Sequence, residues 1–187
     1  MLFIKSLFFF AAAVSSAAIG RDVLDESVAS LARRDSAQTQ ADMETILKNI
    51  NALTNSTNMY NGTPATALNI VSNHESLLRS IYIATEHAKK TTVPTEQDSA
   101  AIISFIGSKL FTAMGETLSV IKSKKSYFVD AGQAKAMKSI LENLEFVTLK
   151  LSGALVDATP LSKTIWALSV SKDMQSEFEK AIAVYSD

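Results

Sequence analysis

Apolar residues recur along this chain at three- and four-residue intervals, the spacing that lines one face of an α-helix. Met43, Ile46, Leu47, Ile50 and Leu53 form one narrow stripe. Met137, Ile140, Leu141, Leu144, Val147, Leu151 and Leu155 form another. Ile102, Ile103, Ile106, Leu110, Phe111, Met114, Leu118 and Ile121 cover close to half of a helical circumference, which places that helix centrally or against a cavity. Near the C-terminus, Leu161, Ile165 and Leu168 face one way, while Phe178, Ala181, Ile182 and Tyr185 face another. That split predicts a bend near Ser169 to Lys172. No alternating, strand-period run competes with these stripes.

Punctuation between the stripes is consistent with helices. Thr63-Pro64 and Thr159-Pro160 each offer an N-cap threonine before a first-turn proline. Thr95 to Asp98 reads as a capping box. Lys89-Lys90 and Lys122, Lys124 and Lys125 fall where helices should end, opposite the negative end of the helix dipole. Asp130-Ala131-Gly132 marks a further break. The expected segments are about 36–60, 64–90, 95–125, 130–158 and 160–185. The predicted fold class is all-α: an antiparallel bundle of about five long helices. Patterning does not separate a filled core from an elongated cavity. Leu78, Ile106, Leu110, Met114 and Leu144 are the residues expected to line a cavity if there is one.

Composition narrows the chemistry. The chain has 187 residues, with 47% hydrophobic and 20% charged, enough for one folded domain. It has 18 Lys+Arg against 19 Asp+Glu, a balance that argues against a nucleic-acid partner. It has no cysteine, which removes thiol catalysis, Cys-ligated metals and disulfides. The 2 histidines leave little for a metal site, and none is expected. There is no nucleophile elbow, phosphate loop or dinucleotide fingerprint. His74-Glu75-Ser76-Leu77-Leu78 opens like a zinc-protease helix but carries Leu78 at the second ligand position. No catalytic residue and no cofactor are expected, and the protein reads as a non-enzyme.

The N-terminus reads as a secretory leader. Lys5 precedes the apolar run Leu7 to Val14, and Ser15-Ser16-Ala17-Ala18 supplies small residues for cleavage. The apolar run is too short for a membrane anchor. The expected organisation is a signal peptide at 1–18, a propeptide at 19–34 and a helical domain at 35–187. Arg33-Arg34 is a dibasic processing signal, the alternative being two ordinary surface charges. Asn55-Ser56-Thr57 and Asn61-Gly62-Thr63 are glycosylation sequons, with Asn55 preferred because Pro64 follows the second. No apolar tail follows Tyr185-Ser186-Asp187, so the expected product has no transmembrane segment and is secreted, extracellular or in the cell wall.

Two features point to binding. His74 falls within the apolar face set by Ile70, Val71, Leu77, Leu78 and Ile81. It is either a hydrogen-bonded core histidine or a polar contact for the head group of a fatty acid or other lipid. Phe146 and Leu149, and separately Phe105, interrupt polar faces. Phe105, Phe146 and Leu149 are the candidate surface patch, with docking of another helix as the alternative for the 146/149 pair.

Several short sequences, taken in order, point to a family. They are Asn58-Met59-Tyr60-Asn61-Gly62, then Lys122 to Gly132 (reading KSKKSYFVDAG), then Leu155-Val156-Asp157-Ala158-Thr159-Pro160-Leu161, and finally Phe178 to Tyr185. Over about residues 36–185 the chain resembles the fungal hydrophobic surface-binding protein A family, which includes cell-wall galactomannoproteins. The resemblance implies a secreted, helical, non-enzymatic protein that adsorbs to hydrophobic surfaces and recruits secreted hydrolases. It also implies two other roles: a carrier of fatty acids inside the bundle, or a structural mannoprotein in contact with wall polysaccharide. The chain lacks the Ser/Thr-rich tail and anchor signal of the longer wall-attached members. No family motif assigns binding residues.

Overall fold

The computed structural model describes residues 20–186. The expected signal peptide lies outside the described residues. Among the described residues seven α-helices follow one another: α1 Gly20–Asn58, α2 Pro64–Ala88, α3 Glu96–Phe105, α4 Phe111–Ser123, α5 Lys125–Asp130, α6 Ala134–Asp157 and α7 Thr164–Val184. A π-helical turn, Ile106–Leu110, joins α3 to α4, so that the two run as one interrupted rod. The bundle therefore has five long rods, as the periodicity predicts, plus the short α5. The rods close a ring through the contacts of α1 with α2, α2 with α6, α6 with α7, α7 with α4, and α4 with α1.

Element boundaries have local causes. Gly62, at φ 86°, turns the chain out of α1. Thr63 is extended and Pro64 opens α2, where a missing N–H costs nothing. The Thr63 hydroxyl does not cap that helix; it donates to Asn61 Oδ1 at 2.8 Å. Thr95 does cap α3, accepting from the Asp98 N–H at 3.1 Å and donating to the Asp98 carboxylate at 2.9 Å. Gly132, at φ 68°, ends α5, with its N–H on the Val129 carbonyl and that of Gln133 on the Phe128 carbonyl.

Three expectations are corrected. The first helix begins at Gly20 rather than near residue 36, so the polar stretch before Arg33-Arg34 is helical. The Thr159 hydroxyl turns back to the Leu155 carbonyl at 2.7 Å, and a 3₁₀ turn, Leu161–Lys163, precedes α7 in place of a Thr-Pro start. Helix α7 runs unbroken through Ser169 to Lys172. Its two apolar faces serve two different surfaces of one continuous helix.

The stripes predicted for the first and fourth segments are buried at Met43, Ile46, Ile50 and Leu53, and at Met137, Leu141, Leu144 and Leu151. Polar ties fix neighbouring rods in register. Thr54 and Thr117 hydroxyls meet at 2.6 Å between α1 and α4. Asn73 donates to the Ala52 carbonyl at 3.2 Å between α2 and α1. Asp42, nearly buried, accepts from Gln38 at 3.0 Å and lies 2.8 Å from His87 Nδ1, again joining α1 to α2.

One end of the ring is sealed by aromatic side chains. Tyr60 stacks on Phe128 with centroids 4.3 Å apart, and Phe128 meets the edge of Tyr185 at 6.1 Å. All three are buried. The Tyr185 hydroxyl donates to the Ile121 carbonyl at 2.7 Å, and the Tyr60 hydroxyl to Gln133 at 3.1 Å. Lys124 Nζ donates to the Tyr60 carbonyl at 3.0 Å. Burial pushes both tyrosine hydroxyls above their ordinary pKa, which keeps them neutral donors. The residues that carry the family resemblance at 58–62, 122–132 and 178–185 thus converge on this closed end. Phe128→Ala should cost about 3 kcal/mol or more of unfolding free energy, the range for emptying a buried aromatic site. Val129→Ala, at a half-exposed position, should cost about 0.5 kcal/mol or less. Urea unfolding followed by circular dichroism checks both; equal effects would show that the aromatic cluster is not what closes this end.

Candidate functional site

Between the rods, away from the aromatic end, lies a cavity of about 110 Å³. Met43, Ile46 and Ile50 of α1 and Ile81 of α2 form part of its wall. Ile102, Ile103, Ile106, Leu110 and Met114 contribute from the interrupted third rod. Leu149, Leu151 and Leu155 of α6, with Ala167, Val170, Met174 and Phe178 of α7, complete it. It is elongated: from Thr39 to Ile50 along α1 is three turns, or about 16 Å. Three of the 6 methionines line it, and their flexible thioethers adapt to what lies against them.

The π turn positions part of the wall. One extra residue per turn brings Ile106 and Leu110 to the same cavity. Gly107 sits where a Cβ would meet Val170 at 3.7 Å, so the third rod and α7 pack closely there.

The cavity has a polar end. Thr39, Thr91, Ser99 and Thr159 line it near the α2–α3 loop and the α6–α7 turn, with Pro94 and Ala158 between them. Three of these hydroxyls are spent within their own helices or turns: Thr39 donates to the Asp35 carbonyl, Thr91 to His87 and Thr159 to Leu155. Ser99 is different. It is 3% exposed and its hydroxyl has no partner. Deeper along α6, the Thr148 hydroxyl is also buried without a partner. No lining residue carries a charge. An orphan hydroxyl in a low-dielectric wall is costly unless something bonds to it. The α2–α3 loop is held to α1 by Asp35, which accepts from the Thr92 N–H at 3.0 Å and hydroxyl at 2.8 Å; these bonds lower its pKa.

The structure divides the residues expected from the sequence. Ile106, Leu110 and Met114 line the cavity; Leu78 and Leu144 do not. Leu144 is fully buried and Leu78 half-buried against the filled part of the core. Phe105, Phe146 and Leu149 do not form one patch. Phe146 is 58% exposed, with Lys150 Nζ 4.2 Å over its ring. Leu149 turns inward to the cavity, and Phe105 is half-buried against the core. Three residues along a helix is about 60° short of a full turn, enough to put one side chain in solvent and the other in the wall.

His74 is buried, at 7% exposure, but does not line the cavity. Its Nε2 has no partner. Ser99 and Thr148 are the polar lining that sequence reasoning missed. A serine four residues beyond a capping threonine carries no signal of its own until the fold shows which way it faces. Among the described residues no cluster of ligating side chains could hold a metal ion, and no helix is long and apolar enough to cross a membrane. A second, polar groove lies between α1 and α2, lined by Asp42, Asn49, Glu75 and Arg79 among others.

A ring of amphipathic helices around an apolar, uncharged cavity defines a binding protein for hydrophobic matter. The chain belongs to the hydrophobic surface binding protein A family, which it matches over residues 36–157. Among solved structures it is similar to AfMP4p in complex with palmitic acid, at 30% identity and a TM-score of 0.78, covering 81% of this chain and 99% of that one. It also shares its fold with ligand binding domain 1 of the Penicillium marneffei MP1 protein, complexed with arachidonic acids. There the identity is 14% and the TM-score 0.76, over 82% of this chain and 99% of that one. Domain 2 of the same protein is similar at 15% identity and a TM-score of 0.69, covering 79% and 93%. No curated protein sequence matches the chain significantly.

Burial holds the His74 imidazole below its ordinary value of 6.5, against a smaller opposing effect of the Glu75 charge. An unfolded chain therefore binds more protons at this residue than the folded one as pH falls through 6.5. Folded stability should drop over that window and be regained as pH rises. Urea midpoints at pH 7.5 and pH 5 should differ in the wild type and differ less in His74→Leu. An equal pH dependence in the variant would assign the effect elsewhere.

Proposed function

We propose that this protein is a secreted, non-enzymatic carrier of long-chain fatty acids, which occupy the cavity lengthwise. The carrying observation is the cavity itself: apolar and uncharged along its walls, with one unpartnered hydroxyl, Ser99, at its polar end. An acyl chain removes apolar wall from water, at about 25 cal/mol per Å², while the acid group supplies the hydrogen bond that Ser99 lacks. The palmitic acid complex of AfMP4p, at 30% identity, supports the ligand class. In this reading Ser99 takes the head-group role that the sequence assigned to His74. The lining supplies no cation, so the carboxylate is held by hydrogen bonding and by access to water at the polar end.

Isothermal titration of the delipidated protein with palmitic acid and methyl palmitate tests this. Ser99→Ala should weaken the acid about tenfold, the range for losing a hydrogen bond to a charged group, and the ester less. Equal losses would make Ser99 part of the wall only. No binding of either ligand by the wild type would overturn the carrier reading.

Adsorption to hydrophobic surfaces is the second reading. The family's surface-binding character and the exposed apolar side chains, Phe146 among them, support it. Residence at the cell wall, contact with wall polysaccharide and recruitment of secreted hydrolases belong to this reading. Loss of adsorption to polyester in Phe146→Ser would place the contact on α6.

Secretion and processing go with either reading. Arg33 and Arg34 are exposed, and Asp35 and Ser36 contact Thr92 and Asp98; cleavage after Arg34 would keep those contacts and give up buried Ala32, whose carbonyl accepts the Ser36 hydroxyl at 2.8 Å. Of the two sequons, Asn61 lies in an exposed turn, its Oδ1 accepting from the Thr63 N–H and hydroxyl. Asn55 lies within α1, and the Thr57 of its sequon is fully buried. This geometry supports Asn61, rather than Asn55, as the glycan site. Peptide mass mapping of the protein secreted by its own host should give a first residue of Asp35 and a glycan on Asn61. A dominant start near Ile19 would overturn the processing step.

A further inference from the structure

The first half of α7 is apolar on two sides. Ala167, Val170, Ser171 and Met174 face the cavity. Leu161 of the preceding 3₁₀ turn, with Ile165 and Leu168 of α7, forms a separate stripe that the described residues leave largely uncovered. Leu161 is 91% exposed and Ile165 84%; Trp166 and Leu168 stand half out beside them. From Ala158 to Ser171 the chain carries a single charge, Lys163. An apolar helix face is normally covered by a core or by lipid, and this segment has only one of its two apolar sides in the core.

The stripe borders the polar end of the cavity. Ser162 donates to Glu96 at 2.9 Å, which ties the 3₁₀ turn to the start of α3. Exposed Val93 precedes Pro94, itself a lining residue, and Ala158 and Thr159 of the adjoining turn line the cavity too. The far end of the bundle is closed by Tyr60, Phe128 and Tyr185. The uncovered apolar corner therefore borders the polar end of the cavity.

We infer that this corner, Leu161, Ile165, Trp166 and Leu168, docks the protein on the surface of a neutral phospholipid bilayer and loads the cavity from it. The inference rests on the fatty-acid reading for the loading step. A bilayer fits better than other occupants for three reasons. The stripe follows directly, through Pro160, on Ala158 and Thr159, which line the cavity's polar end, so the path of an acyl chain from lipid to protein is short. One cation among fourteen residues gives no electrostatic footprint, so attachment is by shallow apolar insertion. Trp166 has the ring and polar N–H suited to the headgroup level.

Trp166 is the chain's one tryptophan, so its emission reports the docking directly. The experiment uses the secreted full-length protein with phosphatidylcholine vesicles. Tryptophan emission should shift to the blue, be quenched by lipids brominated on the acyl chain, and change little with salt. Leu161→Ser with Ile165→Ser should weaken vesicle partition at least tenfold at unchanged helical content, since both side chains are exposed. The same variant should slow fatty-acid transfer from vesicles yet bind palmitic acid supplied in water as the wild type does. Absence of quenching in the wild type, or equal partition of the variant, overturns the proposal. So does a blue shift that appears without vesicles and grows with protein concentration, which would mean a second copy covers the stripe. Failure to bind palmitic acid from water would remove the carrier reading alone; the quenching result would still decide the docking.

Discussion

The stack of Phe128 between Tyr60 and the edge of Tyr185 is the constraint on which the rest of the bundle depends. It joins the end of α1, the short α5 and the end of α7, three segments far apart in sequence. Five long rods with narrow apolar stripes have many near-equivalent packings, and stripes alone do not choose among them. Hydroxyl donors with single matching carbonyl or amide acceptors do choose. Tyr185 reaches Ile121 of α4 and Tyr60 reaches Gln133 at the start of α6, so the axial positions of α1, α4, α6 and α7 are set from this end. An unmet hydroxyl there would cost about as much as the bond contributes, or more, which penalises slipped registers.

With one end fixed, the other end can be incompletely filled without loss of the fold. The same rods that pack Leu118, Ile121, Leu141 and Leu144 to zero exposure diverge into walls at Met43, Ile106, Leu155 and Val170. A cavity lowers stability because its lining forgoes contacts. Met43, Met114 and Met174 lessen that loss by adapting, and the π turn re-aims Ile106 and Leu110 toward the space. The tight half of the molecule thus carries the stability that the hollow half gives up.

The sequence stated the fold because helical period, threonine and proline at helix starts, and lysine at helix ends all reported the same segments. It stated the site poorly, for reasons of angle. Phe146 and Leu149 look alike on a helical projection drawn without neighbours, yet one meets Lys150 in solvent and the other the cavity. Leu161, Ile165 and Leu168 have the period of a core face and are the most open apolar stripe on the chain. Periodicity shows that a face is apolar; only the neighbouring rods show whether it is covered. His74 had the right chemistry for a head group on a face that packs elsewhere. Ser99 had the right place and no pattern to mark it. The backbone breaks failed more locally: the Thr159 hydroxyl had a carbonyl within reach at Leu155 and took it in preference to capping.

The polar end of the cavity brings these strands together. It is bounded by the α2–α3 loop and the α6–α7 turn, the two connections held by side-chain bonds in place of aromatic packing. Asp35 holds Thr92, Ser36 approaches Asp98 at 3.4 Å, and Ser162 holds Glu96. Each of these is an exposed or half-exposed polar contact, worth little in water and quick to exchange. The buried aromatic end has no such freedom. Under the carrier reading proposed above, a ligand entering the water-excluding interior would meet its lowest barrier where Ser99 lies inside and the uncovered apolar stripe begins outside. Opening there would break solvent-replaceable hydrogen bonds and would leave the ring of five rods, and the contacts of Tyr60, Phe128 and Tyr185, intact.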